Sequence, residues 1–253
     1  MTAVAAVGRR YLPRAWADFG LQLVIWFGFL AAYQGARGLA DRNPSRAFEN
    51  GWRVLGLEQG ITHHIYELTL QNLAESSSFL NRLASLTYWM SEFAVVGLAL
   101  LYVYLRRHES FKRFRNWILV ANVLGLIGYV VLPTAPPRMF QSLGFIDTLG
   151  SMSSINHGSG LVEVASNPYA AMPSLHAADA LIVGVMLITV TRRTWLRLLW
   201  ALWPLWVWFC VMATANHFWL DVVAGVAVAL LALALLPLLQ SRRLQRLVPK
   251  LGS

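Results

Sequence analysis

Two stretches of this chain set a histidine and an aspartate at the mouth of an apolar run. In TANHFWLDVVAGVAVALL (214–231), His217 and Asp221 are four residues apart. On a helix they share a face about one turn apart. A carboxylate so placed can accept the imidazole Nδ1 proton, which fixes the tautomer and leaves Nε2 as a nucleophile or base. A structural pair tying helices together is the bland alternative. In AMPSLHAADALIVG (171–184), Pro173 and Ser174 open a helix and His176 falls in its first turn. Ser174 or the neighbouring amides can bind an anion there, or Ser174 can simply cap the helix. Asp179, three residues past His176, either orients that ring or pairs within the bundle; spacing does not decide. The segment PTAPPRMF (133–140) adds Arg138, the one Lys or Arg between residues 133 and 174. A guanidinium on a proline-stiffened turn is a good bidentate phosphate ligand, though arginines also serve as interfacial anchors.

The elements that carry these residues are membrane spans. Of 253 residues, 57% are hydrophobic and only 13% charged, against about 25% charged in soluble domains. Six runs approach the about 20 apolar residues a bilayer requires: 19–36, 86–105, 117–132, 175–190, 195–215 and 218–239. The third and fourth are short, so helix must continue into their flanks or the bilayer must thin. No small-x-small cleavage site follows the first run, which is therefore a span and not a leader. The expected fold is an all-α, polytopic membrane helical bundle of six transmembrane helices. An interfacial amphipathic helix is expected within 44–85, where Leu55, Ile61, Ile65 and Leu68 recur near helical spacing.

Charge gives the orientation. The net charge of +9 invites a nucleic-acid reading, but the basic residues fall in short clusters between the apolar runs. Fifteen lie on one side and six on the other (Arg37, Arg42, Arg46, Arg53, Arg82 and Arg138), a positive-inside signal and no nucleic-acid footprint. A basic N-terminus (1–18) and C-terminus (241–253) are then cytoplasmic, flanking a six-span catalytic domain (19–240) in the cell membrane. Its outer loops are 38–85 and 133–174. His176 and His217 both fall at the extracytoplasmic face. The linker from 133 to 174, rich in Pro, Gly and Ser, suits irregular backbone packed over a site. Glu92, inside the second span, is an intramembrane carboxylate that either lines the cavity, bonds a substrate hydroxyl or pairs structurally. His63 and His64 invite a metal with Glu58 or Glu67, but adjacent helical residues diverge and no usual ligand spacing is present. Neither metal nor cofactor is expected. The lone Cys210 reads as a small buried apolar residue.

Taken together, PTAPPR, NPYAAMPSLH and TANHFWLD, in that order and on one face, resemble the motifs of the type 2 phosphatidic acid phosphatase superfamily. The closer likeness is to its inositol phosphorylceramide synthase branch and bacterial relatives, over about residues 45–235. The resemblance implies two-step, metal-independent phosphoryl transfer. His217 would form a phosphohistidine, Asp221 would steady it, and His176 would serve as acid and then base. Arg138, Ser174 and amides near 174–176 would hold the phosphate oxygens. Three positions depart from the hydrolytic majority: Val131 stands for a lysine, Leu175 for a glycine and Val211 for an arginine. Two phosphate-binding cations are thus missing, and Arg42, Arg46 or Arg53 are the outer-loop replacements to consider. The departures favour a phosphotransferase over a simple phosphatase. The expected substrate is a membrane lipid (phospholipid, prenyl phosphate or sphingolipid-like), and the acceptor is water or a polyol such as inositol. A non-enzymatic lipid transporter or structural membrane protein is the alternative. It predicts polar residues threading the bundle, whereas these gather at one face.

Overall fold

The computed structural model describes residues 12–13, 16–39, 43–152 and 167–239. It is all-helical: α1 (Trp16–Leu39), α2 (Pro44–Thr62), α3 (Tyr66–Glu75), α4 (Ser78–Arg106), α5 (His108–Val131), the short α6 (Thr148–Met152), α7 (Leu175–Val190), α8 (Thr194–Ala213) and α9 (Trp219–Leu239). The one extended pairing among the described residues is a parallel bridge between Thr134 and Ala170. It ties the start of the linker to its end. The 1–18 and 241–253 segments lie almost wholly outside the described residues, as do Arg42 and the middle of the 133–174 linker.

Five helices are long and apolar enough to cross a membrane: α1, α4, α5, α8 and α9. Their outward faces carry large apolar side chains, among them Val24, Phe27, Leu98, Ile127 and Leu230. That pattern suits lipid and not water. The sixth apolar run is α7, a 16-residue helix of about 24 Å at 1.5 Å per residue. It is the bundle's centre, packed by α4, α5, α8 and α9. Leu175, Ile182, Val183 and Leu187 are buried around its circumference, as expected of a helix apolar on every side. The expected short third span is a 24-residue helix, because α5 begins in the basic segment at His108. Cys210 is fully buried.

Small residues set the approach of α5 and α9 to the start of α7. A Cβ on Gly125 would strike the Leu175 side chain, one on Gly128 would strike Pro173, and one on Gly225 would strike the Ser174 carbonyl oxygen. The serine–histidine segment is therefore clamped between two helices at glycine distance.

The 44–85 segment holds two short helices and the first turns of α4, where one amphipathic helix was expected. Asn43 caps α2, its Oδ1 accepting from the Arg46 amide at 3.3 Å, and Pro44 takes the first helical position. The helix stops at His63, whose left-handed φ of 54° turns the chain while its N–H donates to the Gln59 carbonyl. The buried face of α2 (Ala47, Val54 and Leu55) packs on Ala135, Phe140, Ala215 and Phe218 of the outer loops. Leu55 thus faces protein, whereas Leu57 and Ile61 are exposed. This layer roofs the region where α7 and α9 begin.

Candidate functional site

The turn between α8 and α9 presents His217. After Thr214 the chain takes a left-handed step at Ala215 (φ 53°). The Asn216 and His217 amides then both donate to the Val211 carbonyl at 3.1 Å. Val211, where the resemblance would place an arginine, thus buries its side chain with Ala177, Ala180 and Val222 while its carbonyl anchors the His217 turn. The Arg138 amide donates to the Ala215 carbonyl at 2.8 Å, and its guanidinium donates to Asn216 Oδ1 at 2.5 Å. Asn216 is held in turn by donating to Thr214. Arg138 and His217 are therefore set relative to one another by a single residue.

His217 and His176 come together, with ring centroids 5.6 Å apart. His217 Nδ1 lies 2.9 Å from the Ala171 carbonyl. A carbonyl can only accept, so Nδ1 carries the proton and Nε2 keeps its lone pair. Burial pushes the His217 pKa down to about 3, with the Arg138 charge adding to the effect. The ring is neutral at physiological pH. Asp221, expected as the Nδ1 acceptor, lies farther off at 3.5 Å, and its Oδ2 instead accepts from the Phe218 amide at 2.9 Å. It faces the imidazole while closing the helix start, as the acidic residue of a capping box does.

On the other side, His176 Nε2 lies 3.4 Å from Glu92 Oε2, and its ring stacks on Tyr88 at 4.3 Å. Glu92 sits in a single π turn, Ser91–Val95, within α4. Such turns re-aim side chains and recur at functional sites. Glu92 thus has the His176 ring as a partner within the bundle. Asp179 does not reach His176: both its oxygens accept from Asn122 Nδ2, at 3.0 and 3.2 Å, deep between α5 and α7. Ser174 caps α7, its Oγ accepting from the Ala177 amide at 3.3 Å. Its own amide donates to the Asp221 carbonyl, which locks the two histidine segments together.

Glu58 and Glu67 do not ligate with His63 and His64. Glu67 Oε1 accepts from the Trp219 amide at 2.7 Å and Glu58 Oε1 from the Leu220 amide at 2.8 Å. With Asp221 on the Phe218 amide, three carboxyl groups occupy three of the four free donors at the start of α9. Burial, with Glu67 close by, raises the Glu58 pKa to about 9; burial raises that of Glu67 as well. His64 instead meets the Thr69 hydroxyl at 2.7 Å. Among the described residues no group of His, Cys, Asp and Glu is arranged to hold a metal ion.

Of the proposed replacement cations, Arg42 lies outside the described residues and the other two are engaged elsewhere. Arg53 is exposed and bridges Glu49 at 2.6 Å, and Arg46 donates to the Val131 carbonyl at 2.9 Å. Several residues around the histidines had no motif to mark them: Tyr88, Asn122, Glu58, Glu67 and Arg37. Only Glu58 and Glu67 carried a signal, as acidic residues flanking a histidine pair.

These features define a membrane-embedded pair of histidines with a guanidinium alongside, and the chain belongs to the PAP2 superfamily, which it matches over residues 53–235. It is also similar to a phosphoinositol dihydroceramide synthase of Bacteroides thetaiotaomicron, with 26% identity over 155 residues, or 56% of this chain and 50% of that protein. The chain thus spans about half the length of the curated relative it matches. No solved structure matches it. Family and relative together support an enzyme of the membrane lipid phosphatase and phosphotransferase class.

Proposed function

We propose that this protein transfers a phosphoryl group or phospho-headgroup from a membrane lipid, through a phosphohistidine on His217, to a polyol such as inositol or to water. The observation that carries the reading is the His217 ring: its Nδ1 proton is tied to the Ala171 carbonyl, which leaves Nε2 free in a ring whose centroid lies 5.6 Å from that of His176. In the first step Nε2 attacks phosphorus, the bond from phosphorus to the leaving oxygen breaks, and His176 gives that oxygen a proton. In the second, His176 takes a proton from the acceptor hydroxyl, whose oxygen attacks phosphorus and breaks the P–N bond. Glu92 holds the His176 ring as its charge changes. Arg138, aimed by Asn216, stabilises the charge spread over the phosphoryl oxygens, with help from the first-turn amides of α7. Asp221 supports the His217 ring from below.

We read α7 as a sixth span, short because irregular backbone buried in protein completes the crossing. This puts both termini in the cytoplasm and the site at the outer leaflet of the cell membrane. A cleft of about 460 Å³ between α2 and α9, lined by Val54, Leu57, Leu132, Met172, Val223 and Ala227 with Arg53 at its edge, fits a lipid tail. It opens beside Met172, within the histidine-bearing segment.

The test uses purified protein in lipid nanodiscs with radiolabelled inositol and a phospholipid donor. Label entering the lipid phase identifies transfer, and phosphate release alone identifies hydrolysis. Either activity should vanish in His217→Ala. Activity retained in that variant refutes the mechanism.

A further inference from the structure

The site lacks two cations that the hydrolytic relatives supply from α5 and α8, since Val131 and Val211 occupy those positions. Of the outer-loop candidates within the described residues, Arg53 is ion-paired and Arg46 is bound to a backbone carbonyl. Another cation among the described residues stands closer to the histidine-bearing helices. Arg37, near the end of α1, lies over the Tyr129 ring with Cζ 5.9 Å from its centroid. Its Nε is buried and has no hydrogen-bond partner among the described residues.

A guanidinium nitrogen buried without an acceptor is costly, so natural proteins keep such groups paired. Beside it Gln34 Oε1 is also buried without a hydrogen-bond partner among the described residues, and the Tyr33 hydroxyl meets that of Tyr129. This recess adjoins the reacting pair. Tyr129 neighbours Gly128, which packs on Pro173 of the serine–histidine segment, and the Arg37 charge is felt at both His176 and His217. Glu92 and Tyr88, which flank His176, are within the same electrostatic reach of Arg37.

We propose that Arg37 is the second cationic ligand of the substrate's phosphate, reaching the phosphoryl oxygens from α1 on the opposite side to Arg138. The inference rests on the phosphoryl-transfer reading above and adds a residue that no motif of the family contains. A planar guanidinium fits two oxygens of a phosphate monoester or diester. In this arrangement the anion completes the pairing that the bare protein lacks.

The decisive experiment measures anion binding apart from turnover. Inorganic phosphate and short-chain phosphatidic acid are each titrated, by calorimetry, into nanodisc-embedded protein carrying His217→Ala. The same background then carries Arg37→Gln, Arg37→Lys or, at an exposed arginine of α4 outside the site, Arg82→Gln. Loss of a charge-assisted contact should weaken binding by about tenfold or more in Arg37→Gln. Arg37→Lys should restore part of it, and Arg82→Gln should bind phosphate as the parent does. Weakening of both probes assigns Arg37 to the phosphate itself, and weakening of phosphatidic acid alone assigns it to the esterified form. Unchanged binding of both probes in Arg37→Gln overturns the proposal. Failure of Arg37→Lys to bind better than Arg37→Gln overturns it too, because lost packing would then explain the defect. These readouts need no reaction, so they separate this inference from the mechanism: if His217→Ala keeps turning over substrate while Arg37→Gln loses phosphate, the mechanism fails and the anion site stands.

Discussion

The proton on Glu58 offers a test in which sign and size both follow from the structure. Glu58 is fully buried at the start of α9, and its pKa rises from 4.5 to about 9. Between those values the folded protein holds a proton that the unfolded chain has released. Stability from this group is therefore complete below pH 4.5 and is lost as pH climbs toward 9, by about 1.4 kcal/mol for each pH unit. His217 works in the opposite sense, because its pKa falls from 6.5 to about 3. Between pH 3 and 6.5 the unfolded chain binds the extra proton, so stability falls with acidification through that window. From pH 4.5 to 6.5 these two slopes oppose one another; above 6.5 the Glu58 slope is no longer offset by His217. Glu58→Gln keeps an oxygen for the Leu220 amide and cannot ionise, so it should remove the alkaline slope. The assay is thermal unfolding of detergent-solubilised protein from pH 5 to 9. The variant's midpoint should fall less steeply than that of the parent above pH 6.5, by about one proton's worth, with the Glu67 contribution remaining. Parallel curves for parent and variant would refute the argument that Glu58 is buried with its proton.

Other consequences can be measured directly. Gly225→Ala should drive α9 away from the Ser174 carbonyl and separate the two histidine segments; activity should be lost while the helical circular dichroism persists. Asn122→Ala should strand the buried Asp179 carboxyl and cost about 1–3 kcal/mol of stability, read as a lower unfolding midpoint with the site residues intact. Glu92→Gln should slow turnover by less than the about 10²–10⁴-fold that general acid–base help provides and should displace a limb of the pH–rate profile; an unmoved profile would remove Glu92 from proton handling. With the His217 pKa near 3, no loss of kcat/KM near pH 6.5 should trace to this ring, a point that His217 proton shifts followed by NMR can check.

Much of this was legible in the residue pattern, because membrane spans and helix starts are written in local composition. Apolar runs located α1, α4, α5, α7, α8 and α9 to within a few residues, apart from the starts of α4 and α5. Polar flanks hid those starts, since a helix can continue past the residues that signal a span. Within 44–85 the apolar spacing runs through His63 and so suggests a helix there without marking its end. The break there depends on a backbone φ that composition does not report. The meeting of His176 and His217 was anticipated from shared topology. Their partners were not: the Ala171 carbonyl has no side-chain signature, and Glu92 reaches His176 only through a π turn. Asp221 illustrates the limit of spacing. Four residues place it on the His217 face, yet its best-placed bond goes to the Phe218 amide, since the free donors at a helix start compete for the same carboxylate. Arg37 was passed over as one of six outer cations because nothing local distinguishes a buried arginine from an anchoring one.

The central claim is that His217 carries the phosphoryl group. Rapid quench of the enzyme with lipid donor labelled in the phosphate, followed by proteolysis and mass spectrometry under alkaline conditions, tests it most directly. We predict an acid-labile phosphoryl adduct on the peptide containing His217, absent from His217→Ala and longer-lived when the acceptor is withheld. Full activity with no such adduct, or label recovered on another residue, would contradict the account.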